Sequence, residues 1–344
     1  MLFQFVVGAA LAVGMGDEFK PGDLLVTGLG FGDVSPSSMG HYRADGAFVQ
    51  EIFGTGEFWV GAAALGNGKV ATAYGSFDEL DGVNILSEDG GELISFKLAA
   101  LSEFGNARDP SVFADGTLAV LDNHGFIMLY EQDGTHVETL DCPANALEYS
   151  DVDSSDRLWV VDTGVFGTPR AVYVMNREGD VLDSLEFAKG FAPGDLVVND
   201  DGTFWITGFD DGFVYLMNLD GDVLESFEAG YFDHMFGSIA VAPDATIWTA
   251  NNNAKIIRHW EPDGTLIKEI AAQHSCFAIA QMDIVPAAVC AADCNGDGAL
   301  NVLDFVCFQQ EWQGQTPSGD CDGNGVYNVL DFVCFQGQFQ AGCP

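Results

Sequence analysis

A string of twelve residues, written twice near the C-terminus, has the donor atoms to hold a metal ion. The copies read Asp293-Cys-Asn-Gly-Asp-Gly-Ala-Leu-Asn-Val-Leu-Asp304 and Asp320-Cys-Asp-Gly-Asn-Gly-Val-Tyr-Asn-Val-Leu-Asp331, and they start 320 − 293 = 27 residues apart. In each, side-chain oxygens stand at positions 1, 3, 5, 9 and 12, with glycine at position 6 where the chain must turn sharply. Calcium takes six to eight oxygens and accepts a backbone carbonyl at position 7 of such a loop. The expected ligands are Asp293, Asn295, Asp297, the Ala299 carbonyl, Asn301 and Asp304, and then Asp320, Asp322, Asn324, the Val326 carbonyl, Asn328 and Asp331. Two calcium ions are therefore expected. Turn-forming Asp, Asn and Gly could produce one such string in an acidic protein. Two copies in one register, each continuing into the same apolar run, argue against that. The residues Asn301–Gln309 and Asn328–Gln336 are identical.

The elements around these loops are small and rich in cysteine. Six of the eight cysteines (290, 294, 307, 321, 334 and 343) fall in the last 55 residues. That density reads as a disulfide framework made in an oxidising compartment. Zinc is the competing use, but there is no CxxC pair and no histidine in the tail. Six cysteines allow fifteen pairings, and spacing does not choose among them. The total charge is −40, from 52 acidic and 12 basic residues. It leaves no basic footprint for nucleic acid and disfavours an anionic membrane surface. Residues 1–16 carry an apolar run without charge until Asp17 and are read as a signal-peptide-like segment, with a buried first strand as the alternative. No stretch is long enough for a membrane span.

Between these ends the chain repeats. One set of turns is Asp45-Gly46, Asp89-Gly90, Asp133-Gly134, Glu178-Gly179, Asp220-Gly221 and Asp263-Gly264, spaced 44, 44, 45, 42 and 43 residues apart. A second set interleaves: Asn67-Gly68, Asp115-Gly116, Ser155-Asp156, Asp201-Gly202 and Asp244-Ala245. Two hairpin turns per period, separated by short β-branched and aromatic runs, describe a four-stranded propeller blade. The first period begins at Asp23-Leu-Leu-Val-Thr and lacks an innermost strand. The run Cys276–Val285 supplies it and closes the ring. The fold class expected is mainly β: a six-bladed β-propeller over 17–288, then a small α-helical calcium-binding module over 289–344. Trp159, Trp205 and Trp248 recur in consecutive second strands and are expected between blades rather than around a cofactor.

Loops at one end of the propeller gather Asp78, Asp81, Asp122, His124, Asp162, Asp210, Asp211 and Asn251 to Asn253, with His234 and His274 on the loops leading into inner strands. Convergent carboxylates there could hold a divalent cation as a Lewis acid. The plainer role for Asp and Asn in such loops is to close turns on their own backbone. Cys142 and Cys276 precede inner strands three blades apart and either pair or stay as thiols. No GxSxG, HExxH or phosphate-cradling glycine loop occurs.

The stretches Asp115-Gly-Thr-Leu-Ala-Val, Asp201-Gly-Thr-Phe-Trp-Ile and Pro243-Asp-Ala-Thr-Ile-Trp resemble the NHL-like, streptogramin-lyase-like and gluconolactonase-like propellers. A lyase of that kind uses a histidine and glutamate pair on adjacent blades, and His234 and His274 answer to it by location alone. The doubled loops have an EF-hand spacing and resemble type I dockerins, which pair each loop with one helix and place Asp at position 12. The cysteines at loop position 2 and on the helices, and the terminal Ala-Gly-Cys-Pro, resemble a Cys-rich dockerin variant of secreted bacterial proteins. The resemblance implies partner contacts at loop positions 10 and 11, which are Val302, Leu303, Val329 and Leu330 here. It implies a cohesin-like or cell-surface partner and an extracellular location. A carbohydrate or peptide is the ligand class expected on the open propeller face. The reading that follows is a secreted, dockerin-anchored propeller for binding and display. The alternative is a dockerin-borne lyase, lactonase or polysaccharide-degrading hydrolase, as dockerins commonly serve polysaccharide catabolism.

Overall fold

The computed structural model describes residues 17–20, 22–28, 38–53, 58–65, 68–75, 81–98, 107–122, 124–164, 167, 169–208, 210–230, 237–242, 244–251, 254–272, 278–281, 294, 302–314, 319, 321 and 327–341. The chain divides into two units, Met1–Asp283 and Ile284–Pro344.

The first unit is a six-bladed propeller of four-stranded antiparallel sheets. Blade 2 runs Phe58–Ala64, Val70–Gly75, Gly82–Leu86 and Glu92–Lys97, and blade 3 runs Ala107–Val112, Leu118–Asp122, Phe126–Tyr130 and His136–Asp141. Blade 4 follows as Leu147–Val152, Leu158–Asp162, Ala171–Met175 and Val181–Glu186. Blade 5 is Pro193–Val198, Phe204–Gly208, Phe213–Met217 and Val223–Glu228, and blade 6 is Gly237–Val241, Ile247–Asn251, Ile256–Trp260 and Leu266–Ala271. Blade 1 is composite. Its strands Leu24–Gly28, Ser38–Tyr42 and Phe48–Phe53 take their inner neighbour from Ala278–Gln281, with Leu25 opposite Ala280 and Val26 opposite Ile279. The strand expected from Cys276–Val285 thus closes the ring. Each inner strand lies beside those of both neighbouring blades.

Turn chemistry sets the period. In the six Asp/Glu-Gly turns the glycine has φ between 78° and 88°, a region open to glycine without a Cβ clash. In four of them the preceding aspartate accepts a backbone N–H two residues on, as Asp133 does from Thr135 at 2.8 Å and Asp263 from Thr265 at 2.9 Å. In the other two Asn176 and Asn218 accept across the turn, from the Asp180 and Asp222 N–H groups. In the second set, Asp156 (φ 62°) and Ala245 (φ 67°) adopt the same left-handed backbone without glycine.

Burial follows strand position. Second strands are fully buried (Phe204–Gly208, Ile247–Asn251), whereas outermost strands such as Val181–Glu186 face water over most of their length. The core is one apolar layer between each pair of neighbouring blades. Trp159 packs with Leu196, Phe204 and Ile206 of blade 5. Trp205 packs with Ile239 and Ile247 of blade 6, and Trp248 with Leu24, Val26 and Tyr42 of blade 1. The three tryptophans are inter-blade wedges, the packing role expected of them.

The second unit contains α1 (Val302–Gly314) and α2 (Val329–Ala341). Among the described residues Phe308 and Phe335 are its buried apolar side chains, stacked at 4.3 Å with an interplanar angle of 11° and edged by Phe305 and Phe332.

Candidate functional site

The inner strands of blades 3 to 6 place four polar residues on one tier around the propeller axis. The register pairs Pro110 with Val120, Ser150 with Val160, Leu196 with Ile206 and Ile239 with Thr249. The residue preceding each inner-strand partner is Asp109, Tyr149, Asp195 or Ser238. Gly61 on the inner strand of blade 2 makes room beside them: a Cβ there would lie 2.6 Å from Asp109 Oδ1 and 2.7 Å from its Cα.

These carboxylates stitch one blade to the next. Asp109 Oδ2 accepts from the Ser150 N–H at 3.2 Å, and Asp151 Oδ2 from the Val198 N–H at 2.8 Å. Asp195 accepts from the Leu196 N–H at 2.8 Å, the Ile239 N–H at 3.0 Å and the Ser238 hydroxyl. The Ser111 and Ser150 hydroxyls share a buried hydrogen bond of 2.6 Å. Beside them Arg108 Nε meets Glu148 Oε2 at 2.6 Å.

Electrostatics on this tier favour bound protons. Asp195 is buried, and desolvation pushes its carboxyl up to about 7 against the pull of its three donors. Asp109 keeps part of its surface open but is ringed by protein, which raises it well above the carboxylate range, and the charge of Asp195 raises it further. Burial also raises Glu148, opposed by Arg108, and raises the Tyr149 phenol. Titratable groups with such shifts, enclosed together, are acid–base candidates.

The shifts have a consequence for stability. A folded pKa above the unfolded value means the native state holds more protons between pH 4 and 7, so stability is full below that window and declines as pH rises through it. The expected result is that the stability of the native chain falls relative to Asp195→Asn as pH rises from 4 to 7. Urea unfolding at intervals across that range measures it, and parallel profiles for the two proteins would refute the raised carboxyl.

The loop residues singled out in the sequence behave mostly as turn closers. Asp81 Oδ2 accepts from the Ala107 N–H at 2.8 Å. Asp122 Oδ1 takes the His124 N–H at 2.7 Å and lies 2.8 Å from that ring's Nδ1. Asp162 accepts from Gly164 at 2.7 Å and Asn145 at 3.3 Å. Asn251 accepts from Ala254 at 2.9 Å. Asp211 binds the Phe213 N–H and the Tyr215 hydroxyl, and Asp210 lies 3.8 Å from Arg170. Among the described residues no three His, Cys, Asp or Glu side chains form a metal-holding group. Cys142 is a free, half-buried thiol that burial pushes up to about 12. Asp78, His234, Asn252, Asn253, His274 and Cys276 lie outside the described residues.

The second unit carries the doubled loop. Two disulfides join Cys294 to Cys307 and Cys321 to Cys334, each from loop position 2 to the following helix. Of the expected calcium ligands, Asp304, Asn328 and Asp331 are described, and Asp293, Asn295, Asp297, Ala299, Asn301, Asp320, Asp322, Asn324 and Val326 lie outside. Asp304 and Asp331 are wholly buried at the starts of α1 and α2. In copy two, Asn328 Oδ1 accepts from the Leu330 N–H at 2.8 Å while Asp331 Oδ2 accepts from the Asn328 N–H at 2.7 Å. Positions 9 and 12 thus cap the helix reciprocally, as a capping box does. Val302 and Val329 are about equally exposed, at 71% and 70%, and Leu330 is exposed beside them. Val306 and Val333, one turn on, extend each into an apolar stripe.

The tier of Asp109, Tyr149 and Asp195 escapes a sequence reading that looks for chemistry on loops. Its signal is the interval 195 − 109 = 86, two periods of the repeat, with aspartate third in both Ala107–Val112 and Pro193–Val198.

No model of a protein family matches the chain, and no curated protein does. Solved structures do match in fold. A protein of unknown function from Bacteroides caccae aligns at a TM-score of 0.57 and 15% identity, over 76% of this chain and 98% of its own. A streptogramin B lyase aligns at 0.54 and 13%, over 75% of this chain and 86% of its own. The WD40 β-propeller domain of Doa1 aligns at 0.53 and 17%, over 77% and 83%. At these identities the likeness is one of propeller fold.

Proposed function

We propose that the chain is a secreted binding and display protein: a propeller carried by a calcium-dependent, dockerin-type module that docks on a cohesin-like or cell-surface protein. The observation that carries this reading is the matched build of the two tail halves. Each has one disulfide from loop position 2 to its helix and one buried aspartate at loop position 12. Four cysteines that could otherwise bind zinc are consumed in disulfides, leaving carboxylate and amide oxygens, the hard donors that suit calcium. Disulfides in so small a unit also favour an oxidising, extracellular setting. Calcium would supply the cation that buried Asp304 and Asp331 favour, and so fix the loops against the helices. The exposed stripes Val302/Val306 and Val329/Val333, nearly free of charge, suit a partner that buries apolar surface.

The test is calcium titration of the full-length oxidised chain by calorimetry, beside Asp304→Asn/Asp331→Asn. The expected result is two fewer bound ions in the variant and loss of calcium-dependent capture of the partner from the native secretome. Equal calcium binding by both proteins would sink the reading.

One observation favours a second reading, an enzyme on the propeller. The proton-holding pair Asp109 and Asp195 beside Tyr149 has the makings of general acid–base chemistry on a lactone or glycoside. Turnover of such a substrate that vanishes in Asp195→Asn would favour it over pure display.

A further inference from the structure

The placement of the disulfides bears on how the calcium loops are held. Each cystine closes a ring of 307 − 294 + 1 = 14 or 334 − 321 + 1 = 14 residues. The ring contains loop positions 2 to 12, hence every expected ligand except Asp293 and Asp320, which adjoin the half-cystines. The far half-cystine of each ring lies one helical turn beyond the buried aspartate of position 12, Cys307 after Asp304 and Cys334 after Asp331. Cys294 and Cys321 themselves pack against the Phe308–Phe335 core. One covalent link therefore ties the start of the loop to the helix that carries its last ligand.

We propose that calcium binding and the redox state of these two disulfides are thermodynamically coupled, a regulation that rests on the calcium reading above. Opening a ring of this size restores to the unbound loop a conformational freedom that binding must then remove, on the order of 100-fold in affinity. Coupling is reciprocal, so calcium protects each disulfide from reduction by the same factor. Reduction by a dithiol is balanced. One thiolate of the reagent attacks a cystine sulfur, its second thiolate resolves the mixed disulfide, and two cysteine thiols form as the reagent becomes a cyclic disulfide. Two electrons and two protons pass from reagent to protein. A module reaching a reducing environment would then release calcium and its partner, and an oxidising one would restore both.

The experiment uses the full-length protein, equilibrated across dithiothreitol redox buffers in calcium or in EGTA. Thiols are alkylated, and the peptides holding Cys307 and Cys334 are quantified by mass spectrometry. Calcium is expected to raise the ratio of reduced to oxidised dithiothreitol at half-reduction by on the order of 100-fold for both pairs. Equal midpoints in calcium and EGTA, with calorimetry still showing calcium on the oxidised chain, overturn the coupling and leave the calcium reading standing. Equal calcium binding by the oxidised chain and Asp304→Asn/Asp331→Asn overturns that reading and the coupling with it.

Discussion

Truncating Trp159 to alanine is expected to destabilise the propeller by about 3–5 kcal/mol, the range for removing a large aromatic ring from a packed core. The indole is wholly buried in the layer between blades 4 and 5, with its centroid 5.6 Å from that of Phe204. Alanine would leave a cavity lined by residues of two rigid sheets, which cannot collapse around it without disturbing both. The loss also has a polar part. Trp159 Nε1 donates to Asp153 Oδ2 at 2.8 Å, and the same carboxylate accepts from Arg157 Nε at 2.7 Å, whose guanidinium stands 5.9 Å from the indole. Arg157 keeps Asp153 satisfied after truncation, so packing dominates. Trp159→Phe should accordingly cost less than Trp159→Ala. Val181→Ala on the exposed outer strand of the same blade is expected to stay within about 0.5 kcal/mol. Guanidinium unfolding of the three variants decides it. A loss below about 1 kcal/mol for Trp159→Ala would show that the layer repacks and that the tryptophans are not wedges.

The propeller was legible because its signal is repeated and local. An acidic residue followed by glycine closes a tight turn, and six such turns at a near-constant interval leave few architectures. Even the exceptions obey the period. Asp156 and Ala245 occupy left-handed positions that glycine takes in neighbouring blades, because strands locked on both sides dictate the turn between them. Ring closure was legible too, since a first period without an inner strand and a final run without a blade need each other. What the sequence hid is whatever depends on several blades at once. Asp109 and Asp195 lie two blades apart, and only the register of three inner strands sets them around Tyr149. Their raised protonation comes from enclosure, which no single strand encodes. On the loops the reverse holds: Asp122, Asp162 and Asn251 look like chemistry in a list of residues but spend their oxygens on nearby backbone N–H groups. In the tail the doubled string was plain, whereas the pairing of Cys294 with Cys307 and Cys321 with Cys334 waited on the structure. Equal spacing in two copies is compatible with several pairings until the helices are packed.

Phe335→Ala is expected to unfold the tail unit in the absence of calcium while leaving the propeller's melting transition in place. Phe335 and Phe308 are the two fully buried rings of a core otherwise built from half-buried Phe305, Phe332, Phe339 and the half-cystines. Removing a buried phenylalanine costs about 3–5 kcal/mol, and a module this small draws no more than about that from its core. The two disulfides keep the unfolded tail compact but do not replace the stack, because each lies within one loop-and-helix copy and neither links α1 to α2. Among the described residues, ring packing across the two copies holds the helices together: Phe308 on Phe335 and Phe332, Phe305 against Phe335 and Phe339, and Trp312 against Phe332. If the loops bind calcium as proposed, the ion at about 100 times its dissociation constant would return about 2.7 kcal/mol at each, so with both filled the variant should refold. Hydrogen exchange read peptide by peptide on the full chain separates the units. Amides of α1 and α2 should lose protection in EGTA and regain it in calcium, while those of the inner strands do not change. Protection in α1 and α2 that survives Phe335→Ala in EGTA would mean the disulfides alone suffice to fold the tail, and calcium would then have no folding to control.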